Sequence, residues 1–195
     1  RHYAYDHFTD EKRRKEAHVQ LVEHFIDAMP TNRKVKTLED LAPVIELYHH
    51  MVRAGNLDEA MDLFDNRLNS AMYYQFGAYQ LRIELLNALF PNGEDQPPKL
   101  EEESDRAWVL NALANAYSLS GQPRRAVQLL EKQIAIRKKG GISKSVAVGL
   151  GNLAQQQLVI GSLKFSESNL QQNIDLDKKI RDKFWESVGH QELGY

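Results

Sequence analysis

The sequence predicts an all-α protein, a superhelix of stacked antiparallel helix hairpins. The first observation is that Gly55, Gly121 and Gly161 have the same surroundings of apolar and small residues. The second is that the apolar residues around them recur at three- and four-residue spacings, the period of a helix with one buried face. The third is that no segment has the alternation typical of a half-buried strand.

The composition indicates a globular protein with a real core and narrows its partners. Of 195 residues, 42% are hydrophobic and 27% are charged, and the net charge is −2. This charge gives no broad attractive field for nucleic acid or an anionic membrane, so neither is expected as a partner. The absence of cysteine excludes disulfides and thiolate ligands and favours a reducing, cytoplasmic environment.

Each anchor glycine occupies the same place in a predicted helix hairpin. The four shared positions are the aliphatic residues Val44, Leu110 and Leu150, the leucines Leu47, Leu113 and Leu153, the small residues Ala60, Ala126 and Ser166, and the large apolar residues Phe64, Leu130 and Leu170. The glycine ends the first helix, because it adopts a left-handed backbone without steric cost. The small residue follows where the two helices cross, and Pro123 suits the first turn of a second helix.

This pattern resembles the tetratricopeptide repeat. The match runs Leu110-x2-Leu113-Ala114-x2-Tyr117, followed by Gly121, Ala126 and Leu130. The next repeat departs from the family, with Gln157 at the tyrosine position and Ser166 at the alanine position. Gly121 and Gly161 are 40 residues apart, which predicts longer helices or links than the family's usual period of 34.

The whole chain is predicted to be one fragment of such an array. Its predicted segments are a leading helix at 9–29, a repeat at 38–70, a degenerate repeat with a loop at 73–103 that includes a helix at 73–90, repeats at 104–139 and 143–182, and the start of a truncated repeat at 184–195. Because the sequence begins without methionine, we expect a longer parent protein. The period and leading helix are similar to the repeat arm of bacterial signal-transduction ATPases of the STAND type, and His2–Phe8 resembles the linker that precedes such an arm.

The resemblance implies a protein or peptide partner on the concave face formed by the first helices. The candidate peptide-binding residues there are Asn111, Asn115, Asn152 and Gln155. Side-chain amides both donate and accept hydrogen bonds, so they can hold a peptide backbone whatever its sequence. The alternative is that these amides are solvated. Trp108 is interpreted as a core residue or as an aromatic anchor.

No catalytic, cofactor or metal site is predicted. None of the seven histidines forms a zinc-binding helical pair with glutamate, and for His49 and His50 we expect one packed and one solvated ring. Gly149-x-Gly151 is interpreted as close helix packing, and Lys12–Lys15 as a solvated face or a contact with a neighbouring domain rather than a nucleic-acid site. The chain is therefore predicted to be a binding module without enzymatic activity. A helical-array enzyme and an RNA-binding helical repeat remain the alternatives.

Overall fold

The computed structural model describes residues 10–28, 35–141 and 143–194, and all regular elements there are helical. The predicted fold class, an all-α arrangement of stacked helix hairpins, is confirmed. The predicted linker at His2–Phe8 and the two ends of the 9–29 helix lie outside the described residues. The chain divides into two compact units, Arg1–Ala78 and Tyr79–Tyr195.

The described residues of the first unit form three α-helices that pack in sequence. They are α1 (Glu11–Ala28), α2 (Ala42–Ala54) and α3 (Leu57–Leu63), and α3 continues as π-helical turns at Phe64–Asn69 and Ala71–Gln75. Helix α1 contacts α2, and α2 contacts α3. Asp40 fixes the backbone that leads into α2. Its carboxylate accepts from the backbone N–H groups of Lys36 and Thr37 at 3.0 and 3.1 Å.

The buried side of α1 includes a histidine and leaves out an isoleucine. Helical spacing places Ile26 on the same side as Val22, but the Ile26 side chain is exposed. Among the described side chains of α1, Val22 and His18 are buried. Polar His18 takes part in the core because it has a specific partner on α2, described below.

In the part of the second unit that the structure describes, six helices follow one another, each in contact with the next. They are α4 (Tyr79–Asn87), α5 (Glu103–Leu119), α6 (Pro123–Lys139), α7 (Ser143–Val159), α8 (Leu163–Ile180) and α9 (Lys183–Leu193). The first helices α5, α7 and α9 begin 40 residues apart, and so do the second helices α6 and α8. The 40-residue period is therefore a property of the fold as well as of the sequence.

The anchor glycines end their helices as predicted. Gly55, Gly121 and Gly161 have φ angles of 87°, 75° and 78°, in the left-handed region. After Gly121, the N–H of Gln122 donates to the carbonyl of Tyr117 at 2.8 Å, which closes the last turn of α5. Pro123 occupies the first turn of α6, where its missing N–H is not needed.

The predicted single helix at Tyr73–Phe90 is wrong. Tyr73 belongs to the helical turns that continue α3. Gly77, with φ 60°, lies in the break between these turns and α4, which begins at Tyr79. Helix α4 ends at Asn87, and the proline-rich loop then leads to α5. The division between the two units falls at this interruption.

The inserted loop of the second unit is fixed to the first full hairpin. The carboxylate of Glu94 accepts from the Tyr117 hydroxyl and, at 2.5 Å, from the guanidinium of Arg125. The same guanidinium lies 4.0 Å from the centre of the Tyr117 ring. The Lys132 ammonium donates to the Glu94 carbonyl at 2.6 Å. Tyr117, the tyrosine of the repeat motif, therefore joins the loop to α5 and α6.

Candidate functional site

The four predicted amide residues lie on the first helices α5 and α7. Asn111 and Asn152 are both half-buried, and the Asn152 Nδ2 atom lies 3.5 Å from the Asn111 Oδ1 atom, at the limit of a hydrogen bond. Half-buried Asn115 has no hydrogen bond to its side chain among the described residues. The exposed Gln155 side chain donates to Glu192 Oε1 of α9 at 2.5 Å. The structure thus brings Asn111 and Asn152 together. It joins Gln155 instead to α9, the first helix of the following hairpin.

Asn152 and Gln155 also line a cavity enclosed by α7, α8 and α9. Its volume is about 70 Å³. Helix α7 contributes Val148, Gly151, Asn152 and Gln155, helix α8 contributes Asn173 and Asp177, and helix α9 contributes Trp185, Val188 and Glu192. The cavity combines apolar walls with carboxylate and amide groups.

The floor of the cavity is a buried polar pair. Asp177 is 2% exposed, and its Oδ2 atom accepts from Asn173 Nδ2 at 3.0 Å. Asn173 Nδ2 also donates to the carbonyl of Ala147 at 2.8 Å, which holds α8 against α7. Burial raises the pKa of Asp177 above its ordinary value, and the nearby negative charge of Asp182 acts in the same direction.

Asp182 at the start of α9 has a different environment from Asp177. Its carboxylate accepts from the Lys144 ammonium at 3.1 Å and from the backbone N–H of Trp185 at 3.4 Å. The hydrogen bond to Lys144 is the main reason that the pKa of Asp182 is lowered. Lys144 therefore pairs with Asp182 at the start of α9, and its positive charge only partly offsets the raised pKa of Asp177.

Two glycines 40 residues apart allow the first helices to approach the second helices that precede them. A Cβ atom on Gly149 would lie 2.5 Å from Gln133 Oε1 and 2.8 Å from Ile134 Cγ1. On Gly189 it would lie 2.7 Å from Ile174 Cγ1. The interpretation of Gly149 as a close-packing residue is confirmed. The same interpretation is wrong for Gly151, since a Cβ atom there would have no heavy atom within 4 Å.

A second polar cluster lies in the first unit, and sequence analysis missed it. The side chains of His18 on α1 and His50 on α2 are both buried, and Phe25 stacks on His50 with ring centres 5.5 Å apart. Of the adjacent histidines, His50 is packed and His49 is half-buried rather than fully solvated. Only the pairing of α1 with α2 brings His18 close to His50, so no local motif indicates the pair.

The described residues also bear on metal binding, on the basic run and on Trp108. Those residues contain no group of three or more histidine, aspartate or glutamate side chains arranged to hold a metal ion. All of Lys12–Lys15 is exposed, as predicted for a solvated face, and Trp108 is half-buried. No described helix is both long enough and apolar enough to cross a membrane.

Comparison with known families confirms the predicted repeat. Residues 109–142 match the family model of the tetratricopeptide repeat, and this match covers α6 and most of α5. No curated protein matches the sequence.

The solved structures that are similar to this chain include the following three. BtubC (BKLC) from P. vanneervenii is 15% identical, with a TM-score of 0.48 over 95% of this chain and 65% of that chain. This chain therefore spans just under two thirds of the length of BtubC. A putative kinesin light chain from Podosopora anserina, with nearly identical TPR-like repeats, is 21% identical in two crystal structures. In one the TM-score is 0.47 over 89% of each chain, and in the other it is 0.46 over 87% and 88%.

Proposed function

Because this chain carries a tetratricopeptide repeat, we propose that it is a peptide-binding scaffold or sensor module whose partner lies along α5 and α7. The observation that carries the proposal is the approach of Asn111 and Asn152, from successive first helices. Both amides are half-buried, and their contact of 3.5 Å is long enough to be exchanged for contacts with a ligand. A peptide backbone offers N–H and C=O groups that suit such amides.

Further support comes from the positions that flank this pair. Asn115 lies one helical turn beyond Asn111 on α5, and Gln155 lies almost one turn beyond Asn152 on α7. Residues four apart lie on the same side of a helix, so Asn115 extends the amide surface along α5. The exposed Val148 and Leu158 add apolar area to α7. An extended peptide therefore has both polar and apolar groups to contact on these helices.

The experiment is a binding measurement on the whole chain with a library of extended peptides. We expect Asn111→Ala combined with Asn152→Ala to weaken binding by about tenfold or more, since two hydrogen bonds to the peptide are lost. The matched control is Gln128→Ala combined with Gln171→Ala, which removes two exposed amides from the second helices α6 and α8. Circular dichroism checks that both double variants keep their helix content.

The outcomes separate the functions that the sequence left open. Equal affinity of the Asn111/Asn152 variant and the parent chain would overturn the assignment of the peptide to α5 and α7. Salt-sensitive binding of RNA, without binding of any peptide, would instead favour an RNA-binding repeat. We propose no enzymatic activity for this chain, and turnover by the isolated chain would contradict that proposal.

We also propose that the module belongs to a larger cytoplasmic signalling or regulatory protein and contacts other domains of its own chain. The 40-residue period and the leading helix α1 support this proposal, and the lack of cysteine supports the reducing compartment. The parent sequence provides the test, because a sensor arm of the STAND type requires a phosphate-binding loop upstream of these helices. A parent without a nucleotide-binding domain would leave an adaptor rather than a sensor.

A further inference from the structure

We propose that the cavity between α7, α8 and α9 binds the cationic end of a lysine or arginine side chain of the bound peptide. The inference rests on the proposed peptide-binding function and adds to it the chemical class of one side chain of the partner. Four features of the cavity carry it: an incompletely partnered carboxylate at the floor, acidic lining without a cation, an aromatic and aliphatic wall, and an open glycine at the mouth.

The floor carboxylate lacks a full set of hydrogen-bond partners. Asp177 is almost completely buried, and Asn173 donates to its Oδ2 atom at 3.0 Å. Among the described residues, no group donates to the Oδ1 atom. A carboxylate accepts several hydrogen bonds, and a buried one is destabilising unless it is paired with a positive charge. A cation in the cavity would provide this missing charge.

The lining has the sign of charge that a cation requires. Two carboxylates, Asp177 and Glu192, line the cavity, and the described lining residues include no lysine, arginine or histidine. Lys144, the cation that acts on Asp177 from outside the lining, pairs with Asp182 at 3.1 Å. An anionic group such as a phosphate or a C-terminal carboxylate would be repelled here. The other lining amides can donate to or accept from a ligand but bring no compensating charge.

The walls suit the rest of a basic side chain. Trp185 is 42% exposed and lines the cavity beside Val148, which is 40% exposed, and Val188. The face of a tryptophan ring attracts an ammonium or guanidinium group electrostatically. Lysine and arginine also carry long aliphatic stems, which pack on apolar surface while the charged end stays in a polar environment. The valines provide this surface at the cavity wall.

The mouth of the cavity is kept open by a residue that costs helix stability. Gly151 lies inside α7, where glycine is among the least favourable residues. No packing contact accounts for it, because a Cβ atom there would meet no heavy atom within 4 Å. The position 40 residues earlier is occupied by Asn111. Gly151 therefore leaves space at a lining position where the preceding repeat has a side chain.

The cavity is small. Its volume is about 70 Å³, well below the roughly 300–1,000 Å³ of a typical small-molecule site. An ammonium or guanidinium group with the end of its stem is an occupant of this size class.

The direct test is an NMR titration of the full chain with Nα-acetyl-lysine N-methylamide. The neutral control ligand is the norleucine analogue, which has the same stem without the charge. We expect the lysine analogue to shift the indole N–H of Trp185 and the amides of Gly151 and Asp177, with the norleucine analogue giving much weaker shifts. Because a single contact gives at best millimolar affinity, the titration extends to about 100 mM.

Two variants of the chain test the assignment by different routes. Asp177→Asn keeps the size of the floor side chain and removes its charge. We expect it to weaken the binding of the lysine analogue by about tenfold or more. Gly151→Leu fills the mouth without changing the floor and is expected to abolish the shifts. The matched control, Glu167→Gln, removes one exposed carboxylate from the same helix α8 and is expected to change nothing.

The failures of this inference and of the proposed function are distinguishable. Equal shifts from the lysine and norleucine analogues, or equal binding by the Asp177→Asn variant, would overturn the cation site. If library peptides bind through Asn111 and Asn152 without selecting lysine or arginine, the peptide-binding function stands and the cation site is wrong. If the lysine analogue binds through Asp177 but no peptide binds, the peptide origin of the cation is overturned.

Discussion

The Nδ1 atoms of His18 on α1 and His50 on α2 lie 2.8 Å apart in the buried contact between these helices. A hydrogen bond between two ring nitrogens requires one to donate and the other to accept. One of the two Nδ1 atoms therefore carries a proton and the other does not. If both rings became cationic, this bond would be replaced by repulsion between two like charges.

This pair predicts that acid loosens the contact between α1 and α2. Burial lowers the pKa of both histidines below the ordinary value of 6.5, and Arg53 acts in the same direction, whereas Glu46 raises the pKa of His50. As the pH falls through 6.5, the unfolded chain binds protons before the folded chain does, so folding loses stability between 6.5 and the lowered pKa values. Hydrogen exchange of the α1 amides should therefore be faster at about pH 5.5 than at about pH 7.5, after correction for the intrinsic rate.

The control for this prediction is on the same helix. His24 is exposed on α1, so His24→Gln should leave the pH dependence of α1 protection intact. His18→Gln removes one titrating ring from the buried pair and should reduce that dependence. An equal reduction in the two variants would contradict a role for the pair.

Leu113 is predicted to be essential for the packing of the second unit. It is fully buried on α5, where α4 and α6 both pack. We expect Leu113→Ala to lower the free energy of unfolding by about 2–5 kcal/mol, through lost apolar burial and the cavity left behind. Chemical denaturation followed by circular dichroism measures it. Leu119→Ala on the same helix is the control, because Leu119 is 48% exposed and should cost less than about 0.5 kcal/mol.

Arg181 is predicted to be a strained residue at the end of α8. Its φ angle is 61°, in the left-handed region, whereas Gly141 occupies the position 40 residues earlier with φ 69°. Since a side chain in this conformation clashes with its own backbone, we expect Arg181→Gly to stabilise the chain by about 0.5–1 kcal/mol. Thermal unfolding measures the change. Gly141→Ala provides the reverse test and should destabilise the chain by a similar amount.

The sequence predicts the hairpins well where a local residue type determines the backbone. Gly121 and Gly161 end their helices because few other residues adopt a left-handed conformation readily, and this requirement is visible without any tertiary contact. The failure at Tyr73–Phe90 has the opposite cause. The apolar spacing continues across Gly77, so periodicity alone joins two helices that the backbone separates.

The candidate site shows where sequence reasoning ends. Asn111 and Asn152 could be proposed because both lie on first helices, although their separation of 41 residues places them one position apart in the 40-residue repeat. Asp177 carries no comparable signal, since an acidic residue in a helix is usually solvated and only the packing of α7 and α9 against α8 buries it. The position of Trp185 in its helix gives no signal either, because its place in the cavity wall depends on how closely α9 approaches α8.

The final prediction concerns the stability cost of the buried carboxylate. Since burial raises the folded-state pKa of Asp177, the folded chain binds this proton more tightly than the unfolded chain does. The contribution of this group to the free energy of unfolding is therefore fully present below its ordinary pKa. It is lost as the pH rises through the raised pKa. At neutral pH the ionised group opposes folding, so Asp177→Asn should raise the thermal midpoint there, and the advantage should disappear near pH 3.

Combined with the binding test, this measurement distinguishes a ligand-binding carboxylate from a structural one. A residue retained for binding is expected to cost stability in the empty chain, so one substitution should raise the thermal midpoint and weaken binding of the lysine analogue. Glu167→Gln, on the exposed side of α8, should do neither. If Asp177→Asn instead lowers the midpoint at neutral pH, the carboxylate stabilises the contact with Asn173 in its charged form, and a cation is not needed to complete it.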